Sequence, residues 1–142
     1  MQAINPSLKL FINLVKILTV SSRRWPGGLD GFGFSEFAIL FYLNQARDNK
    51  LRRVDLADKL GLTASGVTRI LAPMEKIGLI KREDNPRDAR VSYVILTASG
   101  KRNLNESMED AELLAEEVFP KDKIKKLESL SETLIELGAT IK

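Results

Sequence analysis

Apolar positions along this chain fall into helical stripes, separated by sharp punctuation and interrupted by two short segments of strand character. Leu8, Phe11, Leu14, Val15 and Leu18 form one stripe behind Asn5 and Pro6, a cap and first-turn pair. A loop with Trp25, Pro26, Gly27, Gly28, Gly31 and Gly33 breaks that helix. Ser35 is then placed to cap a nearly all-apolar helix through Phe37, Ala38, Ile39, Leu40, Phe41 and Leu43, which reads as buried core. Leu56, Ala57 and Leu60 share one face of a short helix, and Val67, Ile70, Leu71, Met74 and Ile77 follow helical spacing on the inward face of the next. Residues 79–83 (LIKRE) and 91–96 (VSYVIL) read as two β-strands joined by a loop over residues 84–90 (DNPRDAR). Thr97 opens a long helix carrying Leu104, Met108, Ala111, Ala115 and Val118. Pro120 ends it, and beyond that proline Leu127, Leu130, Leu134 and Leu137 recur at intervals of 3, 4 and 3.

The stretch LADKLGLTASGVTRIL, residues 56–71, predicts a helix, a tight corner and a second helix. Ala57 is small where two helices cross, and Gly61 supplies the positive φ that a side chain resists. Thr63 stands where its hydroxyl accepts from the amide of Ser65 or Gly66, while Leu62 and Val67 occupy the two positions of a hydrophobic staple. The outer face keeps Ser65, Gly66, Thr68, Arg69, Ala72 and Lys76. Small side chains at the leading end let such a helix sink into a DNA major groove, where Thr68 and Arg69 reach base edges or phosphates. Similar corners occur in proteins that bind no nucleic acid, and for them this face, Lys76 above all, is only solvated. Pro73 removes an amide and crowds the carbonyl of Arg69, so a kink is expected there.

The hairpin extends the pattern, since Asn-Pro and Arg-Asp in residues 84–90 favour a turn beside the second helix. A short strand over residues 51–53, the helix-turn-helix, the wing with Asp84, Pro86, Arg87, Asp88 and Arg90, and the L-T-x-x-G-K opening of the long helix (Leu96, Thr97, Gly100, Lys101) together resemble the MarR family of winged-helix transcription regulators. The resemblance covers nearly the whole chain and is strongest over residues 51–104. It implies a mainly α fold with a small β-hairpin wing: one domain over residues 1–142, a winged helix-turn-helix core at about 35–100, and dimerisation helices at 1–25 and 101–142. It further implies that Ser65, Thr68 and Arg69 serve the major groove, that Arg87 or Arg90 serves the minor groove, and that Asp88 orients a wing arginine, with Thr63, Gly66 and Lys76 as further candidate DNA-binding residues. Arg53 joins them as a candidate DNA contact. From the residues alone, the same loop is a short basic turn in which Asp88 can pair with Arg90.

The overall charge excess is small, 22 basic against 19 acidic residues, and says little about partners by itself. Its distribution says more. Residues 47–102 hold 13 Lys and Arg against 7 Asp and Glu, whereas residues 103–142 hold 5 against 10. The positive charge sits on the proposed reading head, as attraction to a phosphate backbone requires, and the acidic remainder is free to face away.

With no Cys and no His, the chain lacks thiolate nucleophiles, disulfides, imidazole bases and the common zinc sites, and an enzymatic or metal role is not expected. Glu106, Glu109, Asp110, Glu112, Glu116 and Glu117 lie at mixed helical spacing and read as a solvated face. The Gly-rich loop lacks the G-K-[ST] ending of a phosphate-binding loop. Lys9, Asn13 and Lys16 interrupt the N-terminal apolar stretch, so neither a signal peptide nor a membrane span is read, and a cytoplasmic protein is expected. The terminal helices carry more apolar stripe than one small domain covers, which points to a homodimer on double-stranded DNA of pseudo-palindromic sequence, with no cofactor. Regulation in the family is usually repression. A small aromatic or apolar effector is a partner the resemblance allows, with Phe11, Trp25, Phe37, Phe41 and Tyr42 as candidate lining residues. Aromatic residues at helical spacing are also ordinary core. The other functional class is a winged-helix module whose basic face binds an acidic protein.

Overall fold

The computed structural model describes residues 3–25 and 33–139. The elements run α1 (Pro6–Arg23), α2 (Phe34–Gln45), a 3-10 turn (Arg47–Asn49), β1 (Lys50–Arg52), α3 (Arg53–Leu60), α4 (Ala64–Lys76), β2 (Ile80–Asn85), β3 (Asp88–Leu96), α5 (Ala98–Val118), a second 3-10 turn (Lys121–Lys123) and α6 (Ile124–Glu136). The fold is thus mainly helical with a small antiparallel sheet. Pro26, Gly27, Gly28 and Gly31 of the expected loop lie outside the described residues.

Helix starts follow local hydrogen bonding. Asn5 Oδ1 accepts from the Leu8 amide at 2.8 Å and Pro6 takes the first helical position, so α1 begins as its sequence predicts. The N-cap of α2 lies two residues earlier than expected. Gly33, not Ser35, is the N-cap, because the Glu36 carboxylate reaches back to accept from the Gly33 amide at 2.9 Å. That bond satisfies an amide that would otherwise lie open at the helix start, and it places Ser35 within the first turn.

The core gathers around α2, which buries Phe37, Ala38, Ile39, Leu40 and Leu43 and touches α3, α4, α5 and the sheet. Leu56 and Ala57 of α3, Val67, Leu71 and Met74 of α4, Leu79, Ile80, Val94 and Leu96 around the sheet, and Leu104 and Ala111 of α5 complete it. Full burial of one such aliphatic side chain stabilises the fold by about 1.5–3 kcal/mol. Two inward assignments do not hold. Ile77 is 65% exposed, because α4 stops at Lys76 and the chain leaves through Gly78, so the edge of the stripe is never covered. On α5, Leu114 is buried where Ala115 was expected, and Ala115 is exposed. α4 itself runs from Ala64 to Lys76 with Pro73 inside it.

The sheet order is β1-β3-β2, with β3 central and both pairings antiparallel. Leu51 pairs with Val94 on one side of β3 and Ile80 with Leu96 on the other. The short first strand occupies Lys50–Arg52, one residue earlier than expected, and Arg53 already belongs to α3.

α5 is seated on the junction between α4 and β2. Thr97 caps it, accepting from the Gly100 amide at 3.0 Å, and donates its hydroxyl toward the carbonyls of Gly78 and Leu79 at 2.6 and 2.9 Å. The seat is so close that a Cβ at Gly100 would lie 2.1 Å from the Leu79 carbonyl oxygen, so only glycine fits.

The flanking helices are different. No residue of α1 or α6 is fully buried, and Phe11 and Leu18 are 66% and 65% exposed. Among the described residues no helix is long and apolar enough to cross a membrane.

Candidate nucleic-acid interface

The corner between α3 and α4 is built as its sequence predicts. Gly61 takes φ 66°, ψ 28°, the left-handed conformation that ends α3, and the Leu62 amide returns to the Ala57 carbonyl at 3.0 Å. Nothing lies within 4 Å of a Cβ at Gly61, so the requirement for glycine there is conformational rather than steric. Thr63 then caps α4, its hydroxyl accepting from the Gly66 amide at 3.1 Å. A Cβ at Gly66 would approach that same oxygen to 3.1 Å. Gly66 therefore serves the cap whatever else it touches.

With Val67, Leu71 and Met74 buried, α4 turns Ser65, Arg69, Ala72 and Lys76 to solvent. The Ser65 hydroxyl lies 3.3 Å from that of Thr63 at the leading end. Neither Arg69 nor Lys76 makes an ion pair or side-chain hydrogen bond among the described residues. Thr68 is half-buried and engaged on the protein side: its hydroxyl donates to the Ala64 carbonyl at 2.9 Å and accepts from Arg53 Nη1 at 3.1 Å. Arg53, read from sequence as a strand-end contact, is instead the first residue of α3. It lies half-buried behind α4, and its Nε has no hydrogen-bond partner among the described residues.

The wing is tighter than the sequence suggests. Residues 84–90 were expected to form a loop, but β2 continues to Asn85 and β3 starts at Asp88, leaving Pro86 and Arg87 as the turn. Asn85 pairs with Asp88 while Asp84 pairs with Ser92, so the register breaks between them and Arg90 lies in the irregular part of β3. Asn and Asp side chains hold this shape. Asn85 Oδ1 accepts from the Arg87 amide at 2.9 Å, and Asp88 Oδ1 accepts from the Arg90 amide at 3.0 Å and from its Nε at 3.1 Å. The side-chain and backbone hydrogen bonds from Arg90 hold the Asp88 carboxyl below its usual range. Asp88 thus orients Arg90, whose side chain is otherwise almost wholly exposed, while the Arg87 side chain has no such partner among the described residues.

Two cations escaped the sequence reading because no motif marks them. Arg82 on β2 pairs with Glu75 on α4 at 2.8 Å, bracing the wing against the second helix. Arg52 makes a two-point pair with Asp55, at 2.8 and 2.9 Å, which lowers the Asp55 pKa and raises that of Arg52. Both pairs are largely exposed and add little stability, but each gives its guanidinium a carboxylate partner.

The aromatic candidates divide. Trp25, Phe37, Phe41 and Tyr42 form a continuous chain of ring contacts, with centroids 5.0 Å apart for Trp25 and Phe37, 6.4 Å for Phe37 and Phe41, and 5.9 Å for Phe41 and Tyr42. Phe11 stands apart on the open face of α1. An apolar cleft of about 270 Å³ lies between the ends of α1 and α5 and the start of α2, lined by Leu18, Trp25, Phe34, Leu114 and Val118 among others. Of the five aromatic candidates only Trp25 lines it. Phe37 is buried, and Tyr42 lines a different groove, against α6. Phe34, which packs edge-on against Trp25 at 5.0 Å, was missed because it precedes the expected cap.

Residues 34–92 match the model of the MarR family. YetL, an HTH-type transcriptional repressor of Bacillus subtilis, is 30% identical over 102 residues, which are 70% of this chain and 61% of YetL. The chain thus spans less than two thirds of that relative. The transcriptional regulator BldR from Sulfolobus solfataricus superimposes with a TM-score of 0.78 at 26% identity, covering 96% of this chain and 99% of BldR. A MarR family transcriptional regulator from Streptomyces coelicolor, solved in complex with DNA, has the same fold, with a TM-score of 0.78 at 20% identity over 96% of this chain and 90% of that one. The matched core, the helix-turn-helix and its wing agree on one assignment, and residues 34–92 form a winged helix-turn-helix of the MarR family.

Proposed function

We propose that this chain binds double-stranded DNA of defined sequence as a homodimer and regulates transcription by repression. The observation that carries the reading is the outer face of α4. Its opposite face is buried, while Ser65, Arg69 and Lys76 stand exposed, and β2, which packs on α4, leads into a two-residue wing turn that carries Arg87. Arg69 is suited to a guanine edge or a phosphate, and Arg87 and Arg90 to the minor groove, where narrow A·T-rich segments attract arginine. Ser65, Thr63 and Gly66 shape the leading end of the helix, Thr68 faces the groove beside Arg69, and Asp88 aims Arg90. YetL is named a repressor and the Streptomyces neighbour was solved with DNA, which supports the same use of this face.

The dimer reading rests on α1 and α6, many of whose apolar residues are left exposed among the described residues. In this division residues 35–100 form the DNA-binding core, and residues 1–25 and 101–142 form the dimer helices. A two-fold axis would set two recognition helices on successive major-groove turns of a pseudo-palindromic site in the cytoplasm. The cleft between α1, α2 and α5 is apolar and of a size for a small aromatic or apolar effector. Selection of bound fragments from random duplex DNA tests the proposal. A two-fold-related consensus whose affinity falls steeply with salt is expected, and recovery of no enriched sequence would overturn it in favour of a protein partner.

A further inference from the structure

We infer that Thr68 reads a thymine through its methyl group, with its hydroxyl withheld from the DNA by Ala64 and Arg53. This rests on the proposed DNA-binding reading and adds the chemistry of one position. A threonine hydroxyl has one proton and two lone pairs. The proton of Thr68 is given to the Ala64 carbonyl at 2.9 Å, a back-bond across one helical turn that fixes the side-chain rotamer. One lone pair takes Arg53 Nη1 at 3.1 Å. The hydroxyl therefore has no proton to offer a base acceptor or a phosphate oxygen.

Arg53 strengthens the restriction. Its side chain is half-buried and its Nε lacks a hydrogen-bond partner among the described residues, so releasing Thr68 would leave a buried guanidinium still less satisfied. Beside one remaining lone pair, what the half-buried Thr68 has left for a base edge is its methyl. In the major groove the apolar feature that distinguishes one base is the thymine methyl, and threonine methyl is among its recognised partners. Thr68 is adjacent in sequence to Arg69, so one residue would select thymine by apolar contact beside another that selects by hydrogen bonding.

The test uses the intact chain and its selected duplex site, with each thymine replaced in turn by deoxyuridine, which removes only the methyl. For the wild-type protein, one thymine in each half-site should lose about fourfold in affinity on replacement, the worth of one buried methyl. Thr68→Ser, which keeps the hydroxyl, should bind both versions equally. Thr68→Val, which keeps a methyl and removes the hydroxyl, should preserve the discrimination, and circular dichroism should show both variants folded. Indifference of the wild-type protein to every replacement would overturn the inference while leaving DNA binding intact. So would discrimination that survives in Thr68→Ser, or a Val variant that loses it. Absence of any sequence-specific binding would overturn the DNA-binding reading and this inference with it.

Discussion

Gly100→Ala isolates the seat of α5 on the α4–β2 junction. A Cβ there would stand 2.1 Å from the Leu79 carbonyl oxygen and 2.7 Å from Leu96 Cδ1, and the first of these is backbone. Relief requires α5 to lift by roughly 1 Å, since ordinary carbon to oxygen contacts lie above 3 Å, and overpacking of this kind costs about 1–3 kcal/mol. Lifting also stretches the hydrogen bond of the Thr97 hydroxyl, whose one proton is shared between the Gly78 and Leu79 carbonyls, worth about 1 kcal/mol net. Alanine returns about 1 kcal/mol through its better helix propensity. The balance is a destabilisation of about 2 kcal/mol. Urea unfolding followed by circular dichroism at fixed protein concentration should show a midpoint about 1 M lower with an unchanged slope. A midpoint equal to or above that of the parent protein would mean that propensity wins and that α5 does not rest on Leu79.

Arg69→Ala should cost about 1–3 kcal/mol of specific binding and relax the preference at one position per half-site, measured by titration against single-base variants of the selected sequence; unchanged affinity removes Arg69 from the interface. Phe11→Glu with Leu18→Glu should leave each chain folded, because both side chains are already exposed, but should yield monomers in sedimentation; a stable dimer would show that α1 is not the contact. In the wing, the Asp88 pKa is lowered by its bonds from Arg90, so the clasp is fully present above the ordinary carboxylate range and opens only as pH falls through the depressed value. An NMR titration of the Asp88 carboxyl should give a midpoint below that of a free aspartate, and a midpoint at or above it would refute the clasp. Arg87→Ala and Arg90→Ala should each weaken binding with the fold intact, the groove-entering one losing more on sites with A·T-rich flanks than on G·C-rich ones.

Elements that depend on short-range sequence were legible in advance. Asn5, Gly61, Thr63 and Thr97 act through bonds to residues three to five positions away, and the apolar stripes of α2, α3 and α4 mark buried faces directly. What failed depended on tertiary alternatives. Ser35 is a sound cap in isolation, but Glu36 satisfies the Gly33 amide and moves the helix start. The wing was taken for a loop because polar residues dominate it, whereas Asn85 and Asp88 close the backbone ladder with their own side chains in place of longer strands of apolar residues. Arg53 looked like a free cation because its partner Thr68 lies fifteen positions away, and such pairings leave no trace in spacing. Phe11 and Trp25 were grouped as aromatics, but only the fold separates the open face of α1 from the cleft at its end.

β3 holds β1 on one flank and β2 on the other, and β1 passes into α3 with no intervening residue. The start of the helix-turn-helix and the base of the wing are therefore opposite edges of one small sheet, and the offset between them is set when the chain folds. A wing hung on a free loop would lose about 1–2 kcal/mol of backbone entropy for each residue ordered at the moment of contact. Here that ordering has already happened. On the proposed DNA-binding reading the two arms would act as a caliper with a fixed opening, so a duplex whose grooves do not match it would itself have to deform, and local DNA stiffness would become part of what the protein measures.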